Sequence, residues 1–247
     1  MTETITRSFG DTSYPLYIAR PAASARGTLI LIHEVWGLTD HIRSVADRFA
    51  DEGYVVLAPD LLADTGITSE LIGDLQEELF DPERRSTAQP KLRALMAPLQ
   101  APGFAETTLN KLADCFAYAQ TLPETTGRIG IVGFCFGGSY SYSFAEREPQ
   151  LAFAVPFYGH ANARADALRA ITCPVLAFYG EQDEILMAEL PALEQAMAEA
   201  RVDFTAQVYG GCGHAFFNDT NRFSYNQAAA DDAWQRTLAF IAAHSAD

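Results

Sequence analysis

The sequence predicts an α/β fold: a central, mostly parallel sheet of about eight strands with helices on both faces. Two observations carry that expectation. Apolar runs of strand length alternate with amphipathic stretches along all 247 residues, the pattern of a sheet whose crossovers are helices. One of those runs, 128–132, leads through Gly133-Phe134-Cys135-Phe136-Gly137-Gly138 into a helical segment at 139–147. No internal repeat or linker divides the chain, so residues 1–247 read as a single domain.

Taken in order, 5–9 and 15–21 read as early strands. Residues 27–35 (GTLILIHEV) form a buried strand opened by glycine. Residues 41–53 have helical spacing, with Val45, Phe49 and Ala50 inward and Gly53 as the stop. Strand 54–61 follows, and 104–122 reads as the helix before the cysteine-bearing turn. Strands are expected at 151–158, 174–180 and 203–209, and amphipathic helices at 189–201 and 226–244. Segment 63–102 breaks the rhythm, because it is charged and interrupted by Pro82, Pro90, Pro98 and Pro102. It reads either as a solvated connection or as a substrate-binding excursion over the site. Arg84-Arg85, the one adjacent arginine pair in the sequence, favours the second.

Composition excludes several classes. The net charge of −15 opposes binding to nucleic acid or to an anionic membrane. The longest apolar runs fall far short of the roughly 20 residues that span a bilayer. Met1-Thr2-Glu3-Thr4 has no basic or apolar leader character, and the four cysteines lack metal-ligand pairing. The expectation is a cytoplasmic protein with reduced thiols. Nothing in the chain marks an oligomer interface.

A lone cysteine is commonly a small buried hydrophobe. Between a strand and a helix, however, Gly-x-Cys-x-Gly has the form of a nucleophile elbow, in which a tight turn pushes the central side chain above the sheet edge. The absence of Gly-Lys-Ser/Thr rules out a phosphate-binding loop. A thiol nucleophile needs a base and an orienting acid, in the chain order nucleophile, acid, histidine. Of five histidines, His33 and His41 precede the cysteine and His244 is terminal, while His160 stays open on spacing. His214 fits best, because it follows strand 203–209 and the glycine-rich loop Gly210-Gly211-Cys212-Gly213. Three carboxylates, Glu181, Asp183 and Glu184, follow strand 174–180. Gly180-Glu181-Gln182-Asp183 sets Asp183 past the turn, facing the neighbouring loop, and favours it.

These pieces resemble the dienelactone hydrolase (carboxymethylenebutenolidase-like) family of α/β-hydrolases over nearly the full length. The matching stretches are His33-Glu34-Val35-Trp36-Gly37-Leu38, Ala58-Pro59-Asp60-Leu61, the elbow, Tyr179-Gly180-Glu181-Gln182-Asp183, Gly213-His214-Ala215-Phe216 and Ala233-Trp234. The resemblance implies a Cys135–Asp183–His214 hydrolase of small lactones or esters, without metal or organic cofactor. It also implies that Glu34 lies beside Cys135 and takes part in switching thiol to thiolate. The general layout assigns the Val35 and Phe136 N–H groups to an oxyanion hole. Arginines that clamp an anionic lactone are implied in the excursion, at Arg84 or Arg85, and after the histidine. There Phe217-Asn218-Asp219 stands at the near position, with Arg222 beyond it. Trp36, Phe136, Phe216 and Phe217 are candidates for an apolar pocket wall or for ordinary core. A broad carboxylesterase or thioesterase with the same triad, and a non-catalytic binding protein of this fold, are the alternatives.

Overall fold

The computed structural model describes residues 1–67, 75, 78, 81, 83–125 and 128–245. Its strands are β1 (Thr2–Phe9), β2 (Thr12–Ala19), β3 (Gly27–Ile32), β4 (Tyr54–Pro59), β5 (Ile129–Phe134), β6 (Ala154–Phe157), β7 (Val175–Gly180) and β8 (Phe204–Tyr209). They form one eight-stranded sheet in the order β1-β2-β4-β3-β5-β6-β7-β8. The β1–β2 and β2–β4 pairs are antiparallel. Every other neighbouring pair is parallel.

The α-helices described over their whole length are α1 (Asp40–Asp51), α2 (Arg85–Leu95), α3 (Phe104–Thr121), α4 (Phe136–Arg147), α5 (Ala165–Leu168), α6 (Glu184–Ala200) and α7 (Gln227–Ser245). Strands β3, β4, β5, β6 and β7 are buried along their whole length, as apolar runs covered by helices on two faces must be. Under the carboxyl edge, Phe134, Phe157 and Phe178 sit in register on three adjacent strands. Their rings are 4.6 Å apart at each step and give the elbow a rigid floor. No helix among the described residues is long and apolar enough to cross a membrane.

Several boundaries differ from the sequence reading. Strand β3 stops at Ile32, three residues before Val35, because the His33 side chain takes over the backbone's hydrogen bonding. His33 Nε2 accepts the Leu61 N–H at 3.0 Å, so its proton is on Nδ1, which donates to the Glu34 carbonyl at 2.6 Å. Helix α6 begins at Glu184, five residues before the expected start at 189, and runs through Pro191. Helix α5 was not expected at all.

Within 63–102, residues 68–74, 76, 77, 79, 80 and 82 lie outside the described residues, and the expected excursion falls partly on them. What is described includes α2, which continues through Pro90. The buried Lys111 on α3 ties down the start of the segment, donating to the Leu61 carbonyl at 3.1 Å and to Asp64 Oδ1 at 2.6 Å.

The elbow depends on backbone contact that a side chain would prevent. A methyl group at Gly133 would overlap the Gly137 carbonyl, and one at Gly137 would overlap the Ile32 carbonyl at the end of β3. Gly137→Ala is therefore expected to cost about 1–3 kcal/mol by overpacking. A lower denaturant midpoint at unchanged slope would register that cost.

Candidate active site

Cys135 occupies the tip of the turn between β5 and α4 with φ 54° and ψ −109°. This conformation is costly for a residue with a side chain and survives only where the surroundings impose it. They do so here through three backbone bonds. Cys135 N–H donates to the Phe157 carbonyl at 3.0 Å, Gly137 N–H to the His33 carbonyl at 3.1 Å, and Ser139 N–H to the Cys135 carbonyl at 3.0 Å. Tyr158 and Ala215 also have positive φ, 38° and 61°. Thus three of the four such non-glycine residues among those described gather round one spot; the fourth, Arg201, caps a helix.

The loops after β7 and β8 are joined to each other before they reach Cys135. Gln182 N–H donates to the Cys212 carbonyl at 2.8 Å, and Gly211 N–H to Glu181 Oε2 at 2.9 Å. A side chain at Gly180 would strike the carbonyls of Cys212 and Gly213. The result is a 2.5 Å contact between Asp183 Oδ2 and His214 Nδ1, which makes Nδ1 the donor. Glu181 is thereby occupied with the Gly211 backbone. His160 is paired with Glu189, Nδ1 to Oε2 at 2.8 Å, and faces another part of the surface.

Burial favours a neutral His214, but the neighbouring Cys135 sulfur and the Asp183 carboxylate outweigh it and hold the imidazole well above its ordinary pKa of 6.5. Burial likewise pushes the Asp183 carboxyl up, and the His214 hydrogen bond more than reverses this, leaving it below the ordinary 3.8. His214 therefore stands between a sulfur and a carboxylate, each stabilising the imidazolium.

Cys135 and His214 line a cavity of about 300 Å³ with Glu34, Val35, Trp36, Arg85, Gln89, Leu92, Ala215, Asn221 and Ser224. A wider opening of about 830 Å³ continues past His214 towards Phe223 and Tyr225. The backbone N–H groups of Val35 and Phe136 make no hydrogen bond among the described residues, and both stand where the end of β3 meets the elbow.

Glu34 is almost wholly buried, and its carboxyl is pushed up by that burial. Tyr158 donates to its Oε1 at 3.2 Å and Asn218 Nδ2 to its Oε2 at 2.6 Å. Tyr158 and Asn218 had no assigned role in the sequence reading. Asn218 was visible there only as the residue standing where an arginine was implied.

The arginines divide. Arg85 lines the cavity, whereas Arg84 is directed to Glu78, 3.9 Å away. Arg222 does not line the cavity; its guanidinium lies 4.9 Å from the Phe223 ring centre. Trp36 is in the cavity wall. Phe216 and Phe217 belong to the core, where Phe216 packs on Tyr158 and Tyr209 and Phe217 stacks on Phe134. Phe136 sets its ring parallel to His33 at 5.7 Å. Among the described residues no group of His, Cys, Asp or Glu could hold a metal ion.

A sheet of this order, with an elbow after β5 and an acid–imidazole pair on the loops after β7 and β8, defines an α/β-hydrolase. The model of the dienelactone hydrolase family matches residues 15–245, and the chain belongs to that family of hydrolase enzymes. It is similar to a Saccharolobus solfataricus protein named "Putative carboxymethylenebutenolidase", with 33% identity covering 86% of this chain and 88% of that one. An Escherichia coli K12 protein of the same name is 31% identical over 94% of this chain and 82% of its own. The crystal structure of a Klebsiella pneumoniae protein, described as "Putative Dienelactone Hydrolase", superposes with a TM-score of 0.82. It is 27% identical and covers 98% of each chain.

The two shifted groups have opposite consequences for stability. The depressed Asp183 contributes stability above its unfolded-state pKa, and this is lost as pH falls through its folded value. The raised His214 contributes fully below 6.5, and its contribution is lost as pH rises through the folded value. The stability gap between the protein and Asp183→Asn should therefore narrow as pH falls below about 3.8, as measured by urea unfolding at a series of pH values.

Proposed function

We propose that this enzyme hydrolyses a small lactone or ester through a covalent acyl intermediate on Cys135. The observation that carries the reading is the 2.5 Å Asp183–His214 bond, with Cys135 on the elbow of the same cavity. Asp183 orients the imidazole and stabilises its charged form, and His214 in turn favours the thiolate.

The thiolate attacks the carbonyl carbon, forming a C–S bond while the carbonyl oxygen takes up the negative charge. The Val35 and Phe136 N–H groups are the donors for that oxygen. The charge returns, the C–O bond to the leaving group breaks, and the His214 proton passes to the departing oxygen. Water then gives a proton to His214 and attacks the thioester; the C–S bond breaks and the thiolate is restored. Carboxymethylenebutenolidase, the name that relatives carry, supplies the lactone class. On this reading Arg85, presented by α2 from the 63–102 excursion, is the ligand for a substrate carboxylate.

A second reading, an esterase of neutral substrates, is favoured by one specific observation. The position after Phe217 holds an asparagine whose amide is already committed to Glu34, and Arg222 turns to Phe223. An amide is no substitute for a guanidinium as a carboxylate clamp.

Two experiments test these assignments. Cys135→Ala should abolish turnover of both dienelactone and an activated neutral ester, followed by ultraviolet absorbance; undiminished turnover would refute the nucleophile. Arg85→Ala should raise KM for the anionic lactone about tenfold, the equivalent of about 1.4 kcal/mol, and leave KM for the neutral ester within about twofold. An equal effect on both would exclude the carboxylate role and favour the neutral-ester reading.

A further inference from the structure

Large apolar side chains left in water are ordinarily scattered singly, and a group of them at one place marks a binding surface. Among the described residues six such side chains are exposed: Met1, Phe9, Ile185, Val208, Phe223 and Tyr225. Met1 and Phe9 lie at the two ends of β1, one edge strand of the sheet, and Val208 is on β8, the other edge. Ile185, Phe223 and Tyr225 instead line one space, the wider opening past His214. They reach it from two elements. Ile185 is in the first turn of α6, and Phe223 and Tyr225 are in the chain between His214 and α7.

The loop that carries the two aromatics is held in place. Buried Asn221 accepts the Phe223 N–H on its Oδ1 at 3.3 Å, and its carbonyl accepts the N–H groups of Ser224 and Tyr225 at 3.1 and 2.8 Å. The Asn226 N–H then closes the loop on the Phe216 carbonyl at 3.0 Å. Asn221 also borders the inner cavity that contains Cys135, so one residue shapes both spaces. Arg85, Gln89, His214 and Ser224 stand in the walls of both. In the reaction proposed above, the acyl carbon is bonded to Cys135, its oxygen meets the Val35 N–H, and the leaving oxygen takes its proton from His214. The acyl half of a substrate therefore belongs in the inner cavity of about 300 Å³, beside Cys135 and Val35. The alcohol half departs across the imidazole into the outer opening.

We propose that Ile185, Phe223 and Tyr225 form a subsite for an apolar alcohol part of the substrate, and that the substrates which use it are open-chain esters of such alcohols. The inference rests on the cysteine-hydrolase reading and selects within it. In a small lactone the leaving oxygen stays tethered to the acyl half, so ring opening sets no separate group against these three side chains. A chain on the alcohol side of an ester does reach them, and covering its apolar surface there stabilises the bound substrate and transition state. The floor of the opening is polar, with Gln182, Glu184 and Asn226 in its wall. A polar floor beside an apolar rim keeps the departing hydroxyl hydrated while its carbon chain is covered.

The test is kcat/KM for ethyl, butyl and hexyl acetate, whose leaving alkoxides are of nearly equal basicity and differ in apolar surface. The value should rise about tenfold from ethyl to hexyl, about twofold for each half-covered methylene. Phe223→Ala and Ile185→Ala should each reduce that ratio to about threefold. Ile185 is 66% exposed and Phe223 42%, so neither truncation opens the core. Phe9→Ala, at a side chain 43% exposed on β1, is the control for general surface stickiness and should keep the full ratio. With the chain moved to the acyl side, the ratio of ethyl hexanoate to ethyl acetate should be the same in Phe223→Ala as in the unaltered enzyme within about twofold. A hexyl-to-ethyl ratio near one, an undiminished ratio in both truncations, or an equal loss along the acyl series would overturn the proposal. If no ester is cleaved, the proposed function fails, and hexan-1-ol binding followed by saturation-transfer NMR decides the subsite. Binding weakened in Phe223→Ala and kept in Phe9→Ala would support it; no binding, or equal binding in all three proteins, would overturn it.

Discussion

The site depends on the contact of bare backbone against bare backbone where β5 turns into α4. Gly137 presses on the end of β3, and Gly138 on the Phe157 carbonyl at the end of β6, at distances no side chain permits. That contact brings the ends of three strands to one point. It forces Cys135 into a left-handed conformation, brings Val35 and Phe136 together, and puts the Glu34 loop beside the sulfur. The aromatic layer of Phe134, Phe157 and Phe178 beneath keeps the strand ends from shifting. Asp183 and His214 arrive independently, through two loops already bonded to each other. Strain at Cys135, Tyr158 and Ala215 is tolerated because the sheet and loops over-determine those positions.

On that frame the electrostatics follow from how few charges are buried. The chain carries a net −15, yet the acids nearest the sulfur each have assigned hydrogen-bond donors. Asp183 has His214; Glu34 has Tyr158 and Asn218; Asp219 has His41. Asp183 and His214 are joined by one short hydrogen bond and titrate together, so a pH profile of the enzyme reports the pair rather than either member.

Much of this was legible in the sequence because it is carried by local pattern. The alternation of strand and helix, the glycines around Cys135, and the positions of Asp183 and His214 relative to their strands all follow from short-range rules. The missed features are long-range. The early end of β3 depends on His33 meeting the Leu61 N–H, 28 residues away in sequence. The hold of Asn218 on Glu34 crosses 184 residues. Phe216 and Phe217 read equally well as pocket or core, because two adjacent aromatics after a loop carry no periodicity to distinguish them. Which of Arg84 and Arg85 borders the cavity depends on the helical phase of α2, which Pro90 concealed.

The central claim is that Cys135 forms a covalent acyl intermediate with His214 as its proton partner. The most direct measurement is intact-protein mass spectrometry, with peptide mapping, on His214→Asn mixed with an activated ester. An acyl adduct confined to the peptide that carries Cys135, stable over minutes in this variant and transient in the unaltered protein, is the predicted result. Product release without any adduct on that peptide, or an adduct on another side chain that forms and decays at the rate of turnover, would contradict the account.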